Sequence, residues 1–411
     1  MKITKTDVAI IGAGPAGAVA AAMLAARGHK VEVVERQHFP RFSIGESLLP
    51  QCMEFLAEAG LADAIKAHGF QYKDGAAFLQ DGAYSAIYFP DKSAQGPSTT
   101  FQVMRADFDL LLAQGAAAKG ANIVYGQEVI AFESDADGAA LNVRDETGAE
   151  RRIEARFVLD ASGFGRTLSR LLDLEEPSSF PSRRSVFGQV KDNISSDGFD
   201  RNKILISVNP NNAEIWYWLI PLADGISSIG AVGPQDVIEA AGASNHERLF
   251  NLIDEVGYKA DLLKDAQIHR PIDTIIGYSC SVRSLIGPRY ALLGNAAEFL
   301  DPVFSSGVTI AMKSANLAAK LVDQDLRGEA VDWRKDFVEE LYIGIETFRA
   351  CVAAWYDGSL QRIIFNRPKA VNEATRMLTS VLAGYAWDRK NSIVREPVRF
   401  LKLLDQICTP S

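Results

Sequence analysis

The chain has little cysteine, little histidine, no excess of positive charge and no long uninterrupted apolar segment. Each shortage removes a class of function. Its four cysteines (Cys52, Cys280, Cys351 and Cys408) lie far apart among 411 residues, with no Cys-x-x-Cys pair. That spacing excludes a zinc ribbon, a redox dithiol and a disulfide framework, and the thiols read as small buried hydrophobes. The five histidines form no His-x-His or His-x-x-x-His pair, so no metal site is expected. Lys+Arg 43 against Asp+Glu 52 gives a net charge of −9, which leaves no electrostatic footprint for nucleic acid. The mixture of 47% hydrophobic and 23% charged residues excludes disorder, collagen and coiled coil. One uncharged stretch, Val8–Ala26, resembles a signal peptide or a membrane span. Gly12, Gly14, Pro15 and Gly17 interrupt it, and the charged run Lys30–Arg36 follows directly. It reads as strand, turn and helix, so a cytoplasmic chain with no membrane partner is expected.

What is there begins with a βαβ unit. Asp7–Ile11 is a β-branched run fit for a strand buried on both faces. Ala16–Arg27 is an alanine-rich helix, Gly28 stops it, and Lys30–Glu35 is a second strand. Apolar spacing predicts helices over about 47–66 and over Arg105–Lys119, and a hairpin over about 136–153 with turns at Gly138 and Gly148. Phe157–Asp160 reads as a buried strand, Tyr290–Gly294 as another, and about 307–325 as a helix. Residues 75–101 and 180–275 look instead like an antiparallel sheet, with alternating runs at Lys203–Val208, Glu214–Ile220 and Ser227–Val232. The expected division is a discontinuous nucleotide domain (1–74, 102–179 and 276–330), a substrate-domain sheet (75–101 and 180–275) and a helical tail (331–411). That tail carries Trp333, Phe337, Tyr342, Phe348, Trp355 and Tyr356, most of them on one broad face, as in a helix packed against the nucleotide domain or, alternatively, one that walls a substrate channel or contacts a carrier protein.

Gly12-x-Gly14-x-x-Gly17 follows a strand, opens a helix and has Glu35 at the end of the next strand. Each part has a mechanical reason. Gly12 makes the tight turn, Gly14 lets the backbone approach a pyrophosphate, and Gly17 lets helix pack on strand. The helix N-terminus then presents free N–H groups and a partial positive charge to the phosphates. Glu35 would accept from ribose hydroxyls, and its charge disfavours a 2′-phosphate. The fingerprint alone does not separate FAD from NAD.

Later segments do. Asp160-Ala-Ser-Gly163 and Gly294-Asn295-Ala-Ala297 each end a strand, and Arg105 opens a helix in Val-Met-Arg-Ala-Asp-Phe-Asp. They resemble the flavin-contacting segments of the p-hydroxybenzoate-hydroxylase-like flavoproteins, in which the second normally reads Gly-Asp; here Asn295 replaces the acid. Three further motifs resemble those of flavin-dependent halogenases: Trp216-Tyr-Trp218-Leu-Ile220-Pro221 matches W-x-W-x-I-P, Phe299–Gly307 matches F-x-x-P-x-x-S-x-G, and Pro40–Ser47 resembles the loop that runs along the flavin. The resemblance spans roughly residues 6–330.

The resemblance implies an α/β fold of the FAD-binding p-hydroxybenzoate-hydroxylase type with an inserted sheet. It also implies FAD reduced by a separate reductase, chloride or bromide as co-substrate, and a small aromatic acceptor, free or carrier-bound. On this reading Gly12, Gly14, Ala16, Gly17, Glu35, Arg36, Arg41, Ser43, Glu46, Ser47, Arg105, Asp160, Gly294, Asn295, Asp301, Pro302, Gly307 and Val308 hold the flavin. Ser305 sits at the reacting end, and Ser306 and Gly307 offer backbone donors to halide at a helix N-terminus. Trp216 and Trp218, two of only five tryptophans, alternate onto one strand face and would wall the flavin off from the acceptor; such a strand could equally fill an inter-domain core. Lys73, in Lys-x-Gly-Ala-x-Phe, stands where the family keeps the lysine that passes hypohalous acid to carbon. Phe304 occupies the place of a glutamate found in tryptophan halogenases, which points towards phenols, pyrroles or carrier-bound acyl groups. In part of that group an aspartate forms an ester to the flavin, and Asp301 is the candidate here. The competing readings are a flavin-dependent aromatic hydroxylase, a geranylgeranyl-reductase-like flavoprotein and a flavin-binding module without turnover.

Overall fold

The computed structural model describes residues 2–195, 199–257, 261–368 and 370–408. Its first strand, Lys2–Ile11, pairs in parallel with Val31–Val34 on one side and Glu150–Asp160 on the other. Tyr290–Leu292 extends the sheet beyond Glu150–Asp160, and Asn122–Val124 extends it beyond Val31–Val34. Register brings Ile11, Val34, Asp160 and Leu292 to one level. The carboxyl ends of four strands therefore share one rim, where a parallel α/β sheet binds its ligand. A meander of Gln127–Ser134, Ala139–Asp145 and Glu150–Asp160 hangs from this sheet, the strand read at Val129–Ser134 pairing with the hairpin expected from residues 136–153.

The helix Pro15–Ala26 is buried almost all round, from Pro15 to Leu24, which explains why its composition is alanine instead of an amphipathic stripe. It is covered on its outer side by the long helix Ser306–Leu326. The helix expected over 47–66 is two, Cys52–Glu58 and Ala62–Ala67. Gly60 turns the chain between them at a φ of +64°, a conformation costly for any other residue.

The second sheet has seven strands in the order Gln267–Ile276, Arg183–Lys191, Ile226–Pro234, Trp216–Pro221, Lys203–Val208, Gly75–Gln80 and Ala83–Tyr88. It is antiparallel except that Lys203–Val208 and Gly75–Gln80 run parallel. Alternation reads hydrophobic patterning and not strand direction, so this pair escaped the sequence. Side chains divide by parity. Trp216, Trp218 and Ile220 face the main core, whereas Tyr217 and Leu219 join a smaller core beneath the helices Gln235–Ala240 and Asn245–Glu255. Lys73 lies outside this sheet, in a separate two-stranded ribbon of Gln71–Lys73 and Thr100–Gln102.

The tail from Glu340 is helical and packs into the main core. Phe337, Phe348 and Trp355 are fully buried, and Trp333 stacks on Phe157 with ring centroids 4.7 Å apart. Among the described residues no helix is long and apolar enough to cross a membrane.

Gly17 shows how tightly the nucleotide turn is built. A Cβ there would lie 1.9 Å from the carbonyl oxygen of Gly12, a backbone contact that no rotamer relieves. Gly17→Ala is expected to destabilise the ligand-free protein by about 1–3 kcal/mol, the usual range for overpacking, in urea denaturation. An unchanged midpoint would show that the turn is looser than described.

Candidate active site

The rim of the first sheet and the inner face of the second enclose a cavity of about 500 Å³. One end is made by the βαβ turn. Gly12, at a φ of +95°, Gly14 and Ala16 line it with Glu35 and Arg36. Glu35 accepts from the backbone N–H of Ala13 (2.9 Å) and of Gln37 (2.9 Å), so the acid first braces the glycine turn and keeps only its remaining lone pairs for a ribose. Arg41 lies across the turn, with one guanidinium nitrogen 3.5 Å from where a Cβ on Gly14 would stand. Its Nη1 is 3.0 Å from Asp109 yet buried without a hydrogen bond. A guanidinium anchored on Asp109 and standing beside a side-chain-free backbone is the arrangement a pyrophosphate would meet.

The middle is formed by the loop 41–47. Arg105 gives Nε and Nη2 to Asp109 (2.8 and 2.9 Å) and Nη1 to the carbonyl of Ile44. It thus holds the loop as well as lining the cavity. Glu46 is buried and accepts from Gln189, and desolvation raises its carboxyl pKa. Ser43, Ser47, Gly294 and Asn295 complete this stretch.

The far end holds the paired tryptophans and the start of a long helix. Trp216 and Trp218 both line it, ring centroids 5.9 Å apart and tilted by 44°. Trp218 lies flat over a neighbouring strand only because Gly230 faces it, where a Cβ would fall 2.3 Å from the indole. Opposite them the helix Ser306–Leu326 begins. Its N-cap, Ser305, sits in the left-handed region at a φ of +56°, and no side chain caps its first N–H groups. Ser305, Gly307 and Val308 line the cavity, so free donors and the positive end of a 21-residue helix face it.

Lys73 is 1% exposed. Its ammonium donates to Ser47 Oγ (2.7 Å) and to the carbonyl of Leu48 (2.8 Å), and lies 5.4 Å from the Phe89 ring centroid. Burial without a carboxylate partner lowers its pKa from 10.5 to about 7. It faces a chamber of about 20 Å³ walled by Leu49, Phe78, Phe89, Phe304 and Leu382. Ser305 and Ile204 border both this chamber and the large cavity. Ser47 stands between them too, its hydroxyl held by Lys73 on one side while the residue lines the large cavity on the other.

Of the residues expected at the site, Gly17, Lys73, Asp160, Asp301 and Ser306 do not border the large cavity; Lys73 lines the small chamber instead. Gly17 is consumed by the turn. Asp160, fully buried, accepts from the N–H groups of Ser162 and Leu168 and shapes the loop behind the rim. Asp301 is turned the other way, accepting from Tyr356 (2.7 Å), Tyr278 (3.3 Å) and the N–H of Val303 (3.0 Å). A carboxylate so engaged and so placed is not directed at a flavin. Ser306 is buried in the helix. Reading the sequence overlooked Ser185, Tyr278 and Gln189, which no motif marks, and Tyr356, noted only as one of an aromatic run.

The residues fit a dinucleotide flavin: a side-chain-free cradle and the Arg41 guanidinium at one end, an uncapped helix and paired indoles at the other. The comparisons agree. The family model described as an FAD binding domain matches residues 5–340. The chain is 31% identical over 376 residues to tryptophan 2-halogenase of Chondromyces crocatus, covering 86% of this chain and 68% of that protein. It is 31% identical over 342 residues to a 1H-pyrrole-2-carbonyl-[peptidyl-carrier protein] chlorinase of Pseudomonas fluorescens, covering 76% and 74%. Among solved structures, a flavoprotein/dehydrogenase from Cytophaga hutchinsonii superposes with a TM-score of 0.94 at 42% identity, covering 98% and 99%. The myxobacterial chondrochloren halogenase, a variant FAD-dependent halogenase, superposes at 0.78 and 28%, covering 100% and 98%.

The Lys73 shift has a thermodynamic consequence of definite sign. The unfolded amine keeps its proton to about pH 10.5, and the folded one loses it near 7. Between those values the unfolded chain binds more protons, so stability rises with pH across the window. The difference between wild type and Lys73→Met, followed by urea midpoints at about pH 6, 8 and 9.5, should grow in favour of wild type. A flat difference would mean that the amine is solvated.

Proposed function

Since the chain belongs to the FAD binding domain family and, within it, to the flavin-dependent halogenases, we propose that it oxidises chloride or bromide and places the halogen on an activated ring, with Lys73 as the residue that hands the halogen on. When bound, reduced FAD together with O₂ supplies the two oxidising equivalents that take halide to hypohalous acid, with water and oxidised FAD as the other products. A separate reductase supplies the reduced flavin. Gly12, Gly14, Ala16, Glu35, Arg36 and Arg41 hold its nucleotide end. Ser43, Glu46, Ser47, Arg105, Gly294, Asn295, Pro302 and Val308 border the remainder. The domain division given above is part of the same proposal.

Within this frame the protein's own groups have separable tasks. Gly307 and the open helix end attract the halide. The indoles of Trp216 and Trp218 exclude water from the reacting end and keep the acceptor ring out of it. The observation that carries the reading is the buried amine one hydroxyl away from the cavity. The 20 Å³ chamber beside it has room for one water-sized molecule and none for an aromatic ring. It suits hypohalous acid, which the amine meets either as an N–H donor that leaves the halogen electrophilic or as a transient haloamine. The ring then loses a proton as the carbon–halogen bond forms. An acceptor must displace apolar side chains to reach the amine, and Phe304, which closes the chamber against Trp355 (5.8 Å, edge to face), is the one at the family's substrate-assisting position. The absence of a carboxylate there favours phenols, pyrroles or carrier-bound rings over free tryptophan.

The deciding assay supplies FAD, an unrelated flavin reductase, NADH and bromide or chloride, with monochlorodimedone as acceptor. Halogenated product is expected. Lys73→Ala should lower it by about 10²–10⁴-fold, the usual worth of a positioned proton-transfer group, while NADH oxidation continues. Halide-independent hydroxylated product would replace this reading with that of a hydroxylase. Phe304→Ala removes the ring that closes the chamber, so KM for a small phenol should fall with kcat little changed; an unaltered KM would place acceptor entry elsewhere.

A further inference from the structure

The two motifs at the reacting end are joined by a residue that belongs to neither. Tyr356 is the last residue of the tail helix Glu340–Tyr356. Its hydroxyl lies 3.0 Å from Trp216 Nε1 and 2.7 Å from Asp301 Oδ2. An indole nitrogen can only donate, so the directions are fixed: Trp216 donates to the tyrosine oxygen, and the tyrosine donates onward to the carboxylate. Asp301 Oδ1 in turn accepts from the N–H of Val303 and caps the short turn Pro302–Phe304. That turn closes with Ser305 N–H donating to the Pro302 carbonyl (2.9 Å) and delivers the chain into the halide-facing helix. The Arg183 guanidinium lies 3.6 Å from the Tyr356 ring centroid, so the ring is clamped on its face as well as at its hydroxyl. Trp216 and Asp301 are both at least nine-tenths buried, with Tyr356 partly buried between them.

We infer that Tyr356 is a positioning residue: it sets the plane of the Trp216 indole against the large cavity and keeps that wall in register with the turn that presents Ser305 and Gly307. The inference rests on the proposed halogenation for its functional meaning but not for its geometry. A buried indole whose N–H has one acceptor holds one orientation; without the acceptor the N–H is unsatisfied and the ring turns to find another. The helical tail, which touches no cofactor motif in sequence, thereby becomes part of the reacting end.

The test uses the full-length chain. In the ligand-free protein the Trp216–Trp218 pair, close and tilted, should give an exciton couplet in circular dichroism, assigned by its loss in Trp216→Phe. Tyr356→Phe keeps the ring over Arg183 and removes only the hydroxyl. It should reduce the couplet to less than half. In the FAD-loaded protein with halide, it should raise hydrogen peroxide released per NADH consumed by about three- to tenfold, the scale of one lost buried hydrogen bond. Flavin affinity should stay unchanged. The double variant Trp216→Phe/Tyr356→Phe should release no more peroxide than Trp216→Phe alone. If Tyr356→Phe fails to fold, Tyr356→Met, which likewise removes the hydroxyl that accepts from Trp216, decides by the same couplet. A full couplet in a folded variant overturns the inference. A wild type that shows the couplet and its loss but never halogenates sinks the proposed reaction and leaves the positioning role standing.

Discussion

The cost of keeping an amine out of water sets the character of the small chamber beside the large cavity. Lys73 is enclosed by phenylalanine and leucine side chains, and among the described residues its hydrogen-bond partners are a serine hydroxyl and one carbonyl. No carboxylate among the described residues offsets the burial, so the charged form is disfavoured and the pKa falls to about 7. An ordinary lysine is a solvated ammonium with no lone pair to offer. This one is poised between two protonation states near neutrality, which is the condition a group needs to accept and release an electrophile or a proton in one cycle. The surrounding apolar wall makes the chamber too small for a ring, so on the proposed function selectivity and reactivity would be set by the same side chains.

The large cavity solves the opposite problem, that of holding negative charge. Its two ends use the same device, the exposed N-terminus of a helix: Pro15–Ala26 behind Gly12 and Gly14, and Ser306–Leu326 behind Ser305. Between them run Arg41 and Arg105, both tied to Asp109. The shared carboxylate holds both guanidinium groups in place before any ligand arrives. Glu35 is pre-set likewise by the backbone of Ala13 and Gln37. Each of these contacts is made by the protein to itself, so little ordering is left for the cofactor to impose.

Much of this was legible in the chain. The nucleotide turn shows because three glycines are each required by a different steric demand, and at Gly17 the demand is absolute. The tryptophan pair shows because strand alternation puts residues 216 and 218 on one face whatever their partners are. Lys73 could be singled out by its neighbours but not by type, since a buried and an exposed lysine are spelled alike. What escaped was set by pairing and direction. Alternation does not say whether Lys203–Val208 meets Gly75–Gln80 head to head or in parallel. The apolar spacing over 47–66 continues straight through Gly60, where the backbone turns. Asp301 lies within a cofactor motif yet points at Tyr356, because a tyrosine from far along the chain reaches it first. Such long-range partners leave no local trace.

The order of the strands also bears on how the protein comes into being. The first sheet needs Lys2–Ile11, Glu150–Asp160 and Tyr290–Leu292 side by side, and the second needs Gly75–Gln80 beside Lys203–Val208. A ribosome making this chain from the amino end thus produces early strands whose partners are not yet synthesised. Their apolar edges wait in the open until the later segments emerge. Slow growth at low temperature, or an abundance of holdase chaperones, should favour recovery of native protein over inclusion bodies.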